Sequence, residues 1–182
     1  MRRNKMKVLL WVICSIWEVV YKNLINARYL NGSKHRLLRV AYRRYKGKRK
    51  ELNGQLIKKG DLIAELHLSN LSLYRYHNQK SPEWALYRNT ISELHLLSEN
   101  IKTNNKPIKA LCGITLLAPA VIRLGFSVEE IRPGLWASIN YVWLRFIRIA
   151  FSPKKTSRLK ELDTKRKPVE FWMSAKQFTE QF

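Results

Sequence analysis

Acidic side chains are scarce in this 182-residue chain: 13 Asp and Glu stand against 35 Lys and Arg, for a formal net charge of +22 at pH 7. A self-repelling charge of that size points to an anionic partner or surface. Cysteine is scarcer still. Cys14 and Cys112 each sit inside an apolar run, a spacing that excludes both a disulfide framework and a paired-cysteine metal clip. Cys14 also follows Ile13, where a bacterial lipidation signal needs Gly or Ala. With only seven glycines there is no phosphate-cradling loop, and neither a nucleophile elbow nor an HExxH helix occurs. His35, His67, His77 and His95 share no ligand spacing on a common element, so no metal or other cofactor is expected. Enzymatic activity has no advertised signature.

What is present suffices for a core. Apolar residues make up 46% and aromatics 11%, which excludes wholesale disorder. The charge is unevenly placed: residues 1–60 carry +15, residues 61–130 are neutral, and residues 131–182 carry +7. A uniform basic background would have charged the middle as well. A neutral centre between basic ends reads as a folded domain with a directed basic surface.

Periodicity supplies the elements. Arg2, Arg3, Lys5 and Lys7 precede an apolar run from Val8 to Trp17, and apolar positions continue at Val20, Tyr21, Leu24 and Ile25. That spacing predicts one helix over roughly residues 6–29. It lacks a small-x-small cleavage site, and its run falls short of the about 20 residues a membrane core requires. Such a helix either packs on the domain or lies in a membrane interface. Leu38, Val40 and Tyr42 alternate with Arg39, Ala41 and Arg43, a strand with one basic face. Asn53-Gly54 marks a hairpin, and Leu62 to Leu68 alternates again, so three or four antiparallel strands form a meander. Ser81-Pro82-Glu83 starts a helix that ends in Asn104-Asn105-Lys106-Pro107. Ala110 to Leu117 reads as a central strand, and Pro119 to Leu124 as a short helix closed by Gly125.

Leu135 to Phe151 predicts a last amphipathic helix with a polar stripe of Ser138, Tyr141, Arg145, Arg148 and Ser152. Two arginines at about +2.5 to +3.5 kcal/mol each near a bilayer centre exclude it as a span. The expected fold class is therefore α+β: a small, mostly antiparallel sheet with helices on one face, an N-terminal apolar helix and a C-terminal amphipathic helix. The expected divisions are residues 1–30 as the N-terminal helix, 31–152 as the domain and 153–182 as a basic tail.

Glu65 and His67 point the same way on a strand, whereas the same letters at Glu93 and His95 lie about 200° apart on a helix and make no equivalent site. Arg44, Lys46, Asp61, Glu65, His67 and Asn70 form the expected ligand-facing patch. Trp11, Trp17, Trp136, Trp143, Arg145 and Arg148 are the expected membrane-facing residues, since Trp-bearing amphipathic helices with nearby cations suit an anionic interface. Nucleic acid is the second candidate partner, because Arg39, Arg43 and Arg44 interleave with Tyr42 and Tyr45. A hydrolase or transferase built on His67 is the third alternative.

Residues of about 15–150 resemble the YkoP-like domain family of Bacillus-type bacteria. The resemblance rests on Leu38-Arg39-Val40, Arg44-Tyr45-Lys46-Gly47, Gly54, Ile57 to Asp61 and Leu66-His67-Leu68-Ser69-Asn70, continued by Gly113 to Leu117 and Arg123 to Phe126. Since similar domains occur beside polysaccharide deacetylases, the resemblance implies an envelope-polysaccharide ligand or partner enzyme. The deacetylases' own metal-binding signature is absent, so their activity does not carry over. Where the pattern has a second histidine before the asparagine, this chain has Ser69. The combined expectation is a non-catalytic binding domain associated with an anionic membrane surface, more on the cytoplasmic face than secreted.

Overall fold

The computed structural model describes residues 2–69, 72, 82–104, 106–131 and 167–182. In chain order these form α1 (Arg2–Leu24), β1 (Arg28–Tyr29), β2 (Leu38–Arg44), β3 (Lys50–Leu52), β4 (Gln55–Ile57) and β5 (Leu62–Leu68). There follow α2 (Pro82–Thr103), β6 (Ile108–Thr115), α3 (Ala118–Arg123), β7 (Ser127–Glu130), β8 (Val169–Ser174) and α4 (Ala175–Gln181). Among the described residues six strands make one sheet in the order β1-β2-β5-β6-β8-β7, and β3 pairs with β4 apart from it. Every pairing is antiparallel except β5 with β6. The chain segment carrying α2 makes that parallel crossover, which needs a connection of a dozen or more residues. The fold is α+β with a mostly antiparallel sheet.

Local chemistry sets the boundaries. The first helix stops before the expected residue 29 because Asn26 turns left-handed (φ 52°). Its end is closed by Asn26 N–H to the Asn23 carbonyl and Ala27 N–H to the Lys22 carbonyl. At the end of α3, Gly125 (φ 80°) plays the same part, with its N–H on Ile122 and that of Phe126 on Val121. Asn53 and Gly54 both have positive φ, the two-residue turn that matches strand twist, and they join β3 to β4. The expected meander is corrected here. β2 runs directly against β5 from Leu38↔Leu68 to Arg44↔Leu62, and the β3–β4 hairpin leaves the sheet between them.

Side chains alternate along the central strands, apart from a register shift where Leu62 and Ile63 pair with Ile108 and Ala110, so the sheet has two unlike faces. One face presents Val40, Leu66, Leu111 and Met173 to Leu94 and Leu97 of α2 and Phe178 of α4. The other packs Ile63, Ala110, Cys112 and Trp172 beneath Leu52 and Ile57 of the β3–β4 hairpin. α1 lies over the remainder of that second face, where Glu18 meets Arg39 and Tyr21 meets the His67 ring. The basic face expected for β2 is therefore not solvated at Arg39, which is buried beneath α1.

The C-terminal residues also differ from a polar tail. Val169–Ser174 is inserted between β6 and β7, in register from Ala110↔Ser174 to Thr115↔Val169. Ser174 then caps α4 by accepting from the Gln177 N–H. Phe171, Met173 and Phe178 belong to the main core, so the aromatic cluster of this segment is structural. The helix expected over Leu135–Phe151, with Trp136, Trp143, Arg145 and Arg148, lies outside the described residues, as does residue 153–166 of the expected tail.

Phe178 is fully buried. Phe178→Ala is expected to lower unfolding stability by about 3–5 kcal/mol in urea denaturation, the range for an aromatic removed from a core. A loose tail would give no measurable change.

Candidate functional site

The second face of the sheet carries a buried polar layer. Glu18 of α1 and Arg39 of β2 form an ion pair at 2.7 Å, with side chains only 6% and 5% exposed. The Ser69 hydroxyl, just past β5, donates to Glu18 Oε1 at 2.9 Å and lies 3.0 Å from the Tyr29 hydroxyl. Arg39 donates to both the Tyr29 and Ser69 hydroxyls, and its guanidinium lies over the Tyr29 ring at 4.5 Å. Ser69 is thus a small hydroxyl hub between three elements.

Next along the same face is the Glu65 cluster. Glu65 Oε2 meets Arg43 Nε at 3.0 Å, and Oε1 lies 3.2 Å from His67 Nε2. That nitrogen is close to the carboxylate but makes no aligned hydrogen bond. Tyr21 roofs the pair, its ring edge-on to His67 at 5.9 Å. Burial alone would raise the Glu65 carboxyl. The close approach of His67 and the charge of Arg43 outweigh burial and hold it below its ordinary value of 4.5. The Tyr21 phenol is pushed up by burial and by the Glu65 charge, against the pull of Arg43.

Beyond α1 the face opens into a cleft of about 700 Å³. Glu65, Cys112, Ile114 and Glu170 line it from the sheet, and Arg43, Arg44 and Lys46 from the end of β2 and the turn after it. Leu24 and Ile25 close the side next to α1. Trp172 is held against this wall by Tyr45 edge-on at 5.8 Å and by Lys50 above its ring at 4.2 Å. Its indole N–H donates to Glu170 Oε2 at 3.3 Å. The Cys112 thiol is pushed far up by burial and by Glu65 and Glu170, which favours its protonated form.

The structure brings Arg44, Lys46 and Glu65 of the expected patch to one cleft. It does not bring Asp61 there: that carboxylate accepts from the Lys58 N–H at 2.7 Å and closes a turn. His67 sits two residues along β5, beneath Tyr21, and Asn70 lies outside the described residues. Arg43, expected as a nucleic-acid contact rather than in this patch, also lines the cleft, and Glu170 and Trp172 were not anticipated. Arg43 was readable from its alternation with Arg39 and Ala41, and the run Val169-Glu170-Phe171-Trp172-Met173 has strand composition that its basic surroundings obscured. Of the expected membrane-facing residues, Trp17 is exposed and stacked on Tyr21, while the Trp11 side chain is outside the described set. Among the described residues no group of three or more His, Cys, Asp or Glu side chains is placed to hold a metal.

Glu93 and His95 do separate work, as the helical spacing requires. Buried Glu93 accepts from the Ser33 hydroxyl and from the N–H groups of His35 and Leu38, tying the loop before β2 to α2. His95 Nδ1 lies 2.8 Å from the Phe182 carbonyl.

The YkoP domain model matches residues 6–182. A curated relative, "Uncharacterized protein YkoP" of Bacillus subtilis (strain 168), is 32% identical over 126 residues, covering 63% of this chain and 68% of its own. No solved structure matches significantly. The chain belongs to the YkoP domain family.

Because the Glu65 carboxyl is depressed in the folded state, its contribution to stability is present above its ordinary value of 4.5 and is lost as pH falls through the depressed value. Denaturant unfolding between about pH 3 and pH 7 should therefore show a shallower acid limb for Glu65→Gln than for the wild type. Parallel limbs would mean that Arg43 and His67 leave this carboxylate untouched.

Proposed function

We propose that this YkoP-domain chain is a non-catalytic binding domain held at an anionic membrane surface by α1. The observation that carries the proposal is the orientation of that helix. Val12, Ile13, Ile16, Trp17, Val19, Val20 and Leu24 are all exposed, Ile16 at 61% and Leu24 at 80%. At 100° per residue they fall within one arc of about 160°. Glu18 and Tyr21 point the opposite way, into the sheet. The helix thus keeps its polar contacts inside and offers its apolar side outward, an arrangement that suits burial at the boundary of headgroups and acyl chains.

Charge complementarity favours a lipid surface as the occupant. Residues 1–60 carry a net +15, and each Lys or Arg near an anionic bilayer is worth about 1 kcal/mol. The cytoplasmic leaflet, which holds the anionic lipids, is the expected side. No described helix is long and apolar enough to cross a membrane, so α1 would lie in the interface. Most of the residues that suggested nucleic-acid binding are engaged within the fold: Arg39 with Glu18, Arg43 with Glu65 and Tyr45 with the Lys48 carbonyl. Those engagements weigh against a stacking and phosphate-gripping strand. The envelope-polysaccharide setting stays an implication of the resemblance and adds no residue to this reading.

Co-sedimentation with vesicles tests it. The wild type should pellet with phosphatidylglycerol vesicles, and rising salt should release it as the screening length shrinks below about 10 Å. Ile16→Glu with Val20→Glu should weaken binding by more than about tenfold, since burying each side chain contributes about 1.5–3 kcal/mol. Equal binding to neutral phosphatidylcholine vesicles would remove the electrostatic half. Competitor-resistant DNA binding at physiological salt, with no vesicle binding, would replace the membrane reading by the nucleic-acid one.

A further inference from the structure

We infer that the cleft at the C-terminal end of α1 binds a phosphate ester that also carries hydroxyl or ammonium groups. The inference rests on the membrane reading for one point only, the direction from which the ligand arrives. The cleft combines two chemistries on opposite sides. Arg44 and Lys46 stand on its β2 side, and Glu65 and Glu170 on the sheet. Arg44 is held in place by one N–H on the Gly60 carbonyl at 3.1 Å, which leaves most of the guanidinium's five donors for a ligand. Lys46 is exposed, and its ammonium has no partner among the described residues.

The floor differs from the rim. Glu65 is committed, one oxygen to Arg43 and the other beside His67. Glu170 lines the cleft with one oxygen on the Trp172 indole, and its other oxygen has no hydrogen-bond partner among the described residues. Two cations at the rim fit a phosphate, because charge-assisted donors to a phosphate oxygen are the strong contacts. That carboxylate oxygen on the floor fits a donor on the same ligand, a hydroxyl or an ammonium. A bare anion would meet Glu170 as a like charge, so the carboxylate selects against it.

Leu24 links the cleft to the outer surface of α1. It is the last residue of the exposed apolar arc and also lines the cleft, while Ile114 adds a second exposed apolar side chain to the lining. A ligand with an acyl tail would place its phosphate at the rim and its tail along Leu24. A lipid headgroup and a soluble phosphate ester share the chemistry that Arg44, Lys46 and Glu170 recognise.

The test compares the wild type with Arg44→Ala/Lys46→Ala and with a charge-matched control, Arg88→Ala/Lys102→Ala, altered at exposed positions of α2 on the other side of the sheet. Each is first checked for an unchanged melting temperature. Each is then titrated calorimetrically with soluble glycerol phosphate and with inorganic phosphate, and separately pelleted with phosphatidylglycerol vesicles. Glycerol phosphate should bind wild type and control alike and the cleft variant about tenfold or more weakly, the effect of losing charged donors. Inorganic phosphate should bind wild type less well than the ester, since it offers Glu170 no matching donor. A cleft variant that loses vesicle binding beyond the control identifies the ligand as a lipid headgroup. One that tracks the control on vesicles but loses glycerol phosphate identifies a soluble ester, and either result supports the site. The Ile16→Glu/Val20→Glu protein separates the two proposals: unchanged glycerol phosphate binding there, whatever happens with vesicles, leaves the cleft standing by itself. The inference is overturned if the cleft variant and the control behave alike in both arms.

Discussion

The Glu18–Arg39 ion pair is the constraint from which the rest of the second sheet face follows. Two charges at 2.7 Å and about one-twentieth exposed cannot be left half-satisfied, since an unpaired buried charge costs several kcal/mol. Glu18 must therefore face the sheet, and on a helix that decision fixes every other residue of α1. Tyr21 is carried onto His67, while Ile16, Val20 and Leu24 are turned outward. Ser69 and Tyr29 supply hydroxyls to the pair, and the short β1 strand paired to β2 holds Tyr29 in position. The helix is then amphipathic in the reverse of the usual sense for a surface helix, with polar contacts inward and an apolar exterior.

The two faces of the sheet divide structure from recognition. The first is covered by α2 and α4 and filled by Leu97, Leu111, Met173 and Phe178. Gly113 shows how tight it is, since an added Cβ would overlap the Phe171 ring and come within 2.8 Å of the Leu66 carbonyl. On the second face, among the described residues, the cleft lies between the end of α1 and the turn at Tyr45, Lys46 and Gly47. Its electrostatics come from strand alternation: Arg43 on β2, Glu65 on β5 and Glu170 on β8 all project to that side. Arg43 and Glu65 neutralise each other, which leaves Arg44, Lys46 and Glu170 to set the polarity met by a ligand.

Much of this was readable locally. The alternation in Leu38–Arg44 and Leu62–Leu68, the Asn53-Gly54 turn, Pro82 at a helix start and the apolar run of β6 each carry short-range chemistry that specifies their element. The misread features all depend on contacts distant in sequence. Arg39 reads as a solvated strand residue unless its partner 21 positions earlier is known. β2 pairs with β5 rather than with the hairpin because burial of Leu38 and Val40 beside Leu66 and Ala64 outweighs the shorter loop. The strand at Val169–Ser174 was hidden by its basic approach, although Phe171, Trp172 and Met173 already marked a segment that needed burying. For the cleft, Arg44, Lys46 and Glu65 were found from polarity near a strand end. Glu170 could not be, because it reaches the cleft only through the pairing of β8 with β6.

The most direct test of this account is a double-mutant cycle on the central pair, read by equilibrium unfolding of wild type, Glu18→Leu, Arg39→Met and the double variant. Each single change strands a buried charge and should cost about 3–5 kcal/mol, whereas the double variant should recover most of that loss. Strong coupling of this kind means that Glu18 is locked against β2 and that α1 has its apolar side outward. Additive effects, each below about 1 kcal/mol, would place Glu18 in solvent and contradict the orientation on which the membrane-facing surface depends.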